Sequence, residues 1–222
     1  MGKLGKALVK LDQATMPYHR TPLVEKIIQD MIQVVSPEDQ EILTGLLDPE
    51  RFEASLAALD ENETRFESLF RDTANATIAT AGSKFNVIPA EGFVEIDARI
   101  LPGRSTADMV AELHSILGED VSIEVLASGP PTKPEVDFTL FDTLATILTD
   151  LDPTGTPIPY LFNESPDGRL LEDHGLQNYG FLPMNLPPEI DLPSIIHGED
   201  ERVPTAAIEF GAKALYELLK RY

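Results

Sequence analysis

Apolar side chains recur at helical spacing near both ends of the chain and alternate with polar ones in its middle. Leu4, Ala7, Leu8 and Leu11 share one face of a helix predicted over 3–14, which Pro17 ends. Val24, Ile27, Ile28 and Met31 do the same over 22–35. Residues 36–72 read as further helix, opened by Ser36-Pro37-Glu38-Asp39: a serine can cap a free backbone N–H, and a proline at the first helical position has none to satisfy. At Ala76 the period changes. Thr77–Ala81 is strand-like and Gly82-Ser83 turns the chain. Gly92–Ile100 then alternates, with Val94, Ile96, Ala98 and Ile100 on one face and Phe93, Glu95, Asp97 and Arg99 on the other. After Pro102-Gly103, Ser105 can cap a helix over 106–117, striped by Met109, Val110, Leu113, Ile116 and Leu117. Val121–Leu126 alternates once more.

Strand, strand, helix, strand is most of a ferredoxin-like α+β unit, whose first strand would belong before residue 3. Gly129-Pro130-Pro131-Thr132-Lys133-Pro134 breaks any element and sets an expected boundary between domains at 1–128, with a helical insertion over about 20–72, and 130–222. Beyond it, Leu140, Phe141, Leu144, Ile147, Leu148 and Leu151 outline a helix. Short strands are expected at Pro157–Phe162, Asn178–Leu182 and Ile195-Ile196, with a helix over 168–174 and a last one over Pro204–Leu219. Such alternation suits part of an α/β layer.

Charge and composition narrow the chemistry. The chain has 222 residues, with 17 Lys+Arg against 38 Asp+Glu and a net charge of −21. That argues against a general nucleic-acid binder or an anionic membrane surface as partner, because both select clustered cations. No apolar run approaches the ~20 residues of a membrane span. Segment 36–75, with three Arg against eleven acids, reads as a solvated face. With no cysteine, disulfides, thiol nucleophiles and thiolate metal sites are excluded, so a metal must be held by His, Asp or Glu. The first 14 residues lack a continuous apolar core and a small-residue cleavage site, which makes the cytoplasm the expected compartment.

Of the four histidines, His19, His114 and His174 read as structural or solvated. His197 differs. It follows Ile195-Ile196 and precedes Gly198-Glu199-Asp200-Glu201, so an apolar segment delivers an imidazole beside an acidic turn. Imidazole is a common zinc ligand and carboxylates orient its second nitrogen, although a capped structural loop fits the same residues.

Four segments, in order, carry a resemblance. They are Lys84-Phe85-Asn86-Val87-Ile88-Pro89 after Gly82; Asp97-Ala98-Arg99 followed by Leu101-Pro102-Gly103; Asp167-Gly168-Arg169 with Tyr179-Gly180-Phe181 and Pro183; and His197-Gly198 with Glu201. Together they resemble the zinc-dependent aminoacylase and carboxypeptidase family of metallopeptidases, which includes succinyl-diaminopimelate desuccinylases. The resemblance spans about residues 76–210. It implies an α/β zinc-hydrolase catalytic domain interrupted by an α+β lid that forms a homodimer, with residues 1–128 as most of the lid and 130–222 as the last part of the catalytic domain. It also implies His197 as a metal ligand, and Asn86 and Arg99 as residues that bind the substrate's carboxylate. A guanidinium grips a carboxylate through paired N–H donors and an amide adds one more. Without the resemblance, Arg99 reads first as an ion pair with Glu95 or Asp97 across the sheet.

The implied reaction is hydrolysis of a peptide or N-acyl amide bond next to a free carboxylate, with two zinc ions in the whole parent enzyme. The family's His-x-Asp ligand motif and Glu-Glu pair do not occur in this chain, and one imidazole cannot hold two zincs. The chain is therefore expected to be a fragment, inactive alone, with its general base upstream. The competing expectation is a non-catalytic dimerisation or regulatory module.

Overall fold

The computed structural model describes residues 1–60, 63–129, 137–161, 167–172, 174–176, 178–191, 195–196 and 198–222. They divide into two compact units, Met1–Val136 with Tyr160–Leu176, and Asp137–Pro159 with Gln177–Tyr222.

The first unit is α+β. Helix α1 (Gly2–Gln13) leads to α2 (Pro22–Ile32), α3 (Pro37–Leu46), α4 (Phe52–Ala57) and α5 (Glu63–Phe70). Two of these starts are specified by side chains: Thr21 accepts from the Val24 N–H, and Ser36 from the Asp39 N–H, each followed by proline. Helices α2–α5 surround their own apolar cluster, in which Val24, Ile28, Leu46 and Phe70 are fully buried. Phe52 lies at the centre, with ring centroids 4.7 Å from Tyr18 and 5.2 Å from Phe70. Leu161 packs against the same cluster. A single helical turn, α6 (Arg169–Glu172), also belongs to this unit.

Strands β1 (Thr73–Ala81) and β2 (Gly92–Arg99) form an antiparallel two-stranded sheet. Pairing runs from Thr73↔Arg99 to Ala81↔Gly92, with a bulge between Ala76 and Ile78. The alternation read from the sequence holds. Ala74, Ile96, Ala98 and Ile100 pack with Met16 of the α1–α2 connection and with Met109 and Leu113 of α7 (Thr106–Leu117), while Phe93 stands 56% exposed on the other face. Helix α7 opens with a reciprocal capping box between Ser105 and Asp108.

One predicted strand of this unit is corrected. Val121–Leu126 pairs with no described strand, although Ile123 packs against the sheet's core. Alternation marks which faces a strand would have, but a strand also needs a neighbour for its backbone groups.

In the second unit α8 (Phe141–Leu151) packs against α9 (Thr205–Arg221). Leu144, Ile147, Ala207 and Ala214 are buried, and Arg221 pairs with Asp150 at 2.8 Å. The hydroxyl of Tyr179 donates to the Asp137 carbonyl and accepts from the Leu140 N–H at 3.2 Å, which fixes the approach to α8. The strands expected in the carboxy-terminal half do not form. Residues 157–161, 178–182 and 195–196 have no ladder, and the Ile195 carbonyl accepts the Gly198 N–H at 3.0 Å. These apolar runs are short, and among the described residues none finds a parallel neighbour. The linker from Pro130 to Pro134 and residue 162 of the first of these runs lie outside the described residues. No described helix is long and apolar enough to cross a membrane.

Candidate functional site

Arg99 ends β2 on the open face of the hairpin, as its parity in the alternating run requires. Its guanidinium is held by Asp97, two residues back on the same face, through Nε at 3.1 Å and Nη2 at 2.7 Å to Oδ2. The pair is roughly half exposed, at 41% and 47%, so a second carboxylate can still approach it. The ion-pair reading of Arg99 is thus realised with Asp97.

Asn86 lies in the β1–β2 connection, in the turn closed by Val87 N–H to the Lys84 carbonyl at 3.3 Å. It is exposed, between Phe85 and Ile88, whose side chains project into solvent. Gly82, Ser83, Lys84, Val87 and Pro89 line a shallow hollow beside it. Gly82 has φ +71°, a conformation that glycine adopts without penalty.

Asn86 and Arg99 are not brought together. Gly92, where the loop rejoins the sheet, is seven positions along β2 from Arg99. At ~3.4 Å per residue that is about 24 Å. The two residues belong to opposite ends of one hairpin.

A second cluster was not read from the sequence. His19 in the α1–α2 connection, Asp72 just before β1 and Glu112 on α7 place one potential ligand atom each within 4.8 Å of one another. Arg104, after the Pro102-Gly103 turn, bonds all three. Its Nε donates to Asp72 Oδ2 at 2.8 Å, its Nη1 meets His19 Nδ1 at 3.3 Å, and its Nη2 donates to Glu112 Oε1. Since a guanidinium only donates, His19 Nδ1 accepts, and its Nε2 carries the proton shared with Glu112 at 2.9 Å. Asp72 also accepts the Leu101 backbone N–H at 2.8 Å. Burial by itself would lower the pKa of Arg104, but its bonds to Asp72 and the charges of Asp72 and Glu112 outweigh that and raise it above the ordinary guanidinium value.

The cluster offers one imidazole and two carboxylates, yet it does not fit zinc. One candidate ligand atom of each residue already faces a guanidinium nitrogen, leaving only the buried Glu112 Oε2 without a partner among the described residues, and a fixed positive charge stands among the three side chains where a dication would have to sit. His197, the expected metal ligand, lies outside the described residues. His174 is exposed. His114 is half-buried, and its Nδ1 has no hydrogen-bond partner among the described residues.

Residues 4–123 match the family model described as a peptidase dimerisation domain. The human N-fatty-acyl-amino acid synthase/hydrolase is 27% identical over 229 aligned residues, which cover 99% of this chain and 44% of that protein. The Dictyostelium discoideum protein named "Probable carboxypeptidase S-like 2" is 27% identical over 172 residues, covering 76% of this chain and 33% of its own length. The chain thus spans less than half the length of these curated relatives. No solved structure matches it.

Proposed function

Because this chain belongs to the peptidase dimerisation domain family, we propose that it is the lid and carboxy-terminal portion of a hydrolase acting on peptide or N-acyl amide bonds next to a free carboxylate. The observation that carries this reading is the alignment of nearly the whole chain with a relative named as an N-fatty-acyl-amino acid synthase/hydrolase. A half-exposed arginine, Arg99, already paired with the Asp97 carboxylate within the matched domain, supports it.

Arg99 is the proposed grip on the substrate's carboxylate, and Asn86 a second donor. Their separation along one hairpin supports a homodimer through residues 1–128, in which each carboxylate would meet Arg99 of one copy and Asn86 of another. A complete ferredoxin-like sheet would need strands beyond β1 and β2, and a second copy or further chain is the natural source of backbone partners. Zinc is proposed for the whole hydrolase, where it would polarise the scissile carbonyl and activate water. In this chain His197 is its proposed ligand.

The reading separates substrate binding, expected of this chain, from turnover, which is not. An N-acyl amino acid should bind the isolated chain, and Arg99→Ala should weaken that binding at least tenfold, as should replacing the ligand's carboxylate by an amide. Equal affinity for the acid and the amide would remove the grip assigned to Arg99. With zinc added, hydrolysis well above that of a His197→Ala control would refute the claim that the chain is inactive alone.

The family name also favours a second reading, a dimerisation module with no substrate of its own. A homodimer in sedimentation analysis with no detectable N-acyl amino acid binding would select it.

A further inference from the structure

We infer that Asp72 and Arg104 are positioning residues for Arg99, clamping the end of the hairpin so that the Arg99 guanidinium stays on the open face of the sheet. The inference rests on the proposed role of Arg99 in binding a carboxylate.

Thr73↔Arg99 is the last backbone pair of the β1–β2 ladder. Asp72 precedes it on one strand, and Leu101 follows two residues after it on the other. The Asp72 side chain is fully buried, and its Oδ1 takes the Leu101 N–H at 2.8 Å. A side chain thus supplies one more rung beyond the backbone ladder. The other carboxylate oxygen holds Arg104 Nε at 2.8 Å, and the Arg104 guanidinium continues to Glu112 on α7 and to His19. His19 is tied in turn by its backbone N–H to the Phe70 carbonyl at 2.7 Å. The end of β2 is therefore fastened to both the helical cluster and α7.

The register at this end needs such a fastening. Four pairs, Thr73↔Arg99, Ala74↔Ala98, Asn75↔Asp97 and Ala76↔Ile96, lie between the clamp and the bulge before Ile78. A bulge already carries one unpaired residue, and a two-stranded sheet is only marginally stable. A one-residue slip of β2 against β1 would turn Arg99 and Asp97 toward the core. Packing of Ile96 and Ala98 opposes that slip, and the buried Asp72 rung opposes it at the arginine itself.

The test uses the full chain, with Asp72→Asn, which keeps the shape and removes the charge, and Arg104→Lys, which keeps the charge but cannot span three partners. Amide exchange and the Arg99 side-chain Nε–H resonance are followed by NMR, and N-acetyl-leucine binding is measured by titration. Losing a charged, buried hydrogen bond should accelerate exchange of the Ala74, Ala98 and Leu101 amides about tenfold or more over the Ala79 and Val94 amides, shift the Arg99 resonance and weaken N-acetyl-leucine binding. Arg104→Lys should do the same while leaving far-ultraviolet circular dichroism unchanged, which covers the case in which Asp72→Asn does not fold. Unchanged exchange, or equal acceleration along the whole hairpin, overturns the clamp. Failure of the unaltered chain to bind N-acetyl-leucine, with selective exchange still present, overturns instead the role of Arg99 and the purpose given to the clamp.

Discussion

Gly211 of α9 approaches the backbone of Pro183 so closely that a β-carbon added there would stand 2.7 Å from the Pro183 carbonyl oxygen. An exposed helical glycine normally gains about 1 kcal/mol on replacement by alanine. Here the close approach reverses the sign, because the obstacle is backbone and cannot rotate away. Gly211→Ala should destabilise the second unit by about 1–3 kcal/mol, the cost of overpacking. Thermal unfolding of the variant checks this, and a raised midpoint would mean that the segment around Pro183 yields freely.

Phe52 is 1% exposed and touches both Tyr18 and Phe70. Phe52→Ala should cost about 3–5 kcal/mol, since neighbouring helices collapse only partly into the space left. Val34→Ala, at a position 52% exposed, should stay within about 0.5 kcal/mol. Urea unfolding of the two variants separates them, and similar losses would place the core elsewhere.

The elements carried by strong local patterns were legible. Helix α7 follows its apolar stripe and its Ser105 cap, and β2 follows its alternation. Asn86 and Arg99 stand out in the sequence as candidates, but their arrangement does not. Arg99 and Asn86 are thirteen residues apart in sequence and belong to opposite hairpin ends, which a motif alone does not convey. The Arg104 cluster was invisible because His19 and Glu112 are 93 residues apart, and His19 reads locally as a loop histidine beside prolines. The expected strands failed for a related reason. Apolar alternation at 121–126 is a local property, whereas a ladder partner is not.

Arg104 occupies the centre of three potential metal ligands, so its removal should have two consequences. Arg104→Ala should destabilise the first unit by about 3 kcal/mol, because Asp72 is left buried without its counter-charge. It should also free His19, Asp72 and Glu112 to meet a dication. Zinc should then shift the His19 ring resonances in the variant and leave them unmoved in the unaltered chain. A shift in the unaltered chain would show that the guanidinium does not hold the site closed.

The start of α7 should respond to acid. Asp108 Oδ2 accepts from the Ser105 hydroxyl at 2.6 Å and from the Ser105 backbone N–H at 2.8 Å. These bonds, the hydroxyl first, hold the Asp108 carboxyl below its ordinary value. A carboxylate with a lowered folded-state pKa adds stability above its unfolded value of about 3.9, and that stability is lost as the pH falls through the lowered value. Asp108→Asn should therefore reduce stability at neutral pH and have little further effect once the medium is acidic enough to protonate Asp108. Ser105→Ala should cost about 1 kcal/mol at neutral pH, since it removes the cap on the Asp108 N–H. Unfolding midpoints of the three chains measured from neutral pH down to about 2 decide it: the curves should converge toward the acid end for Asp108→Asn, and a constant gap across the whole range would deny the carboxylate any part in the cap.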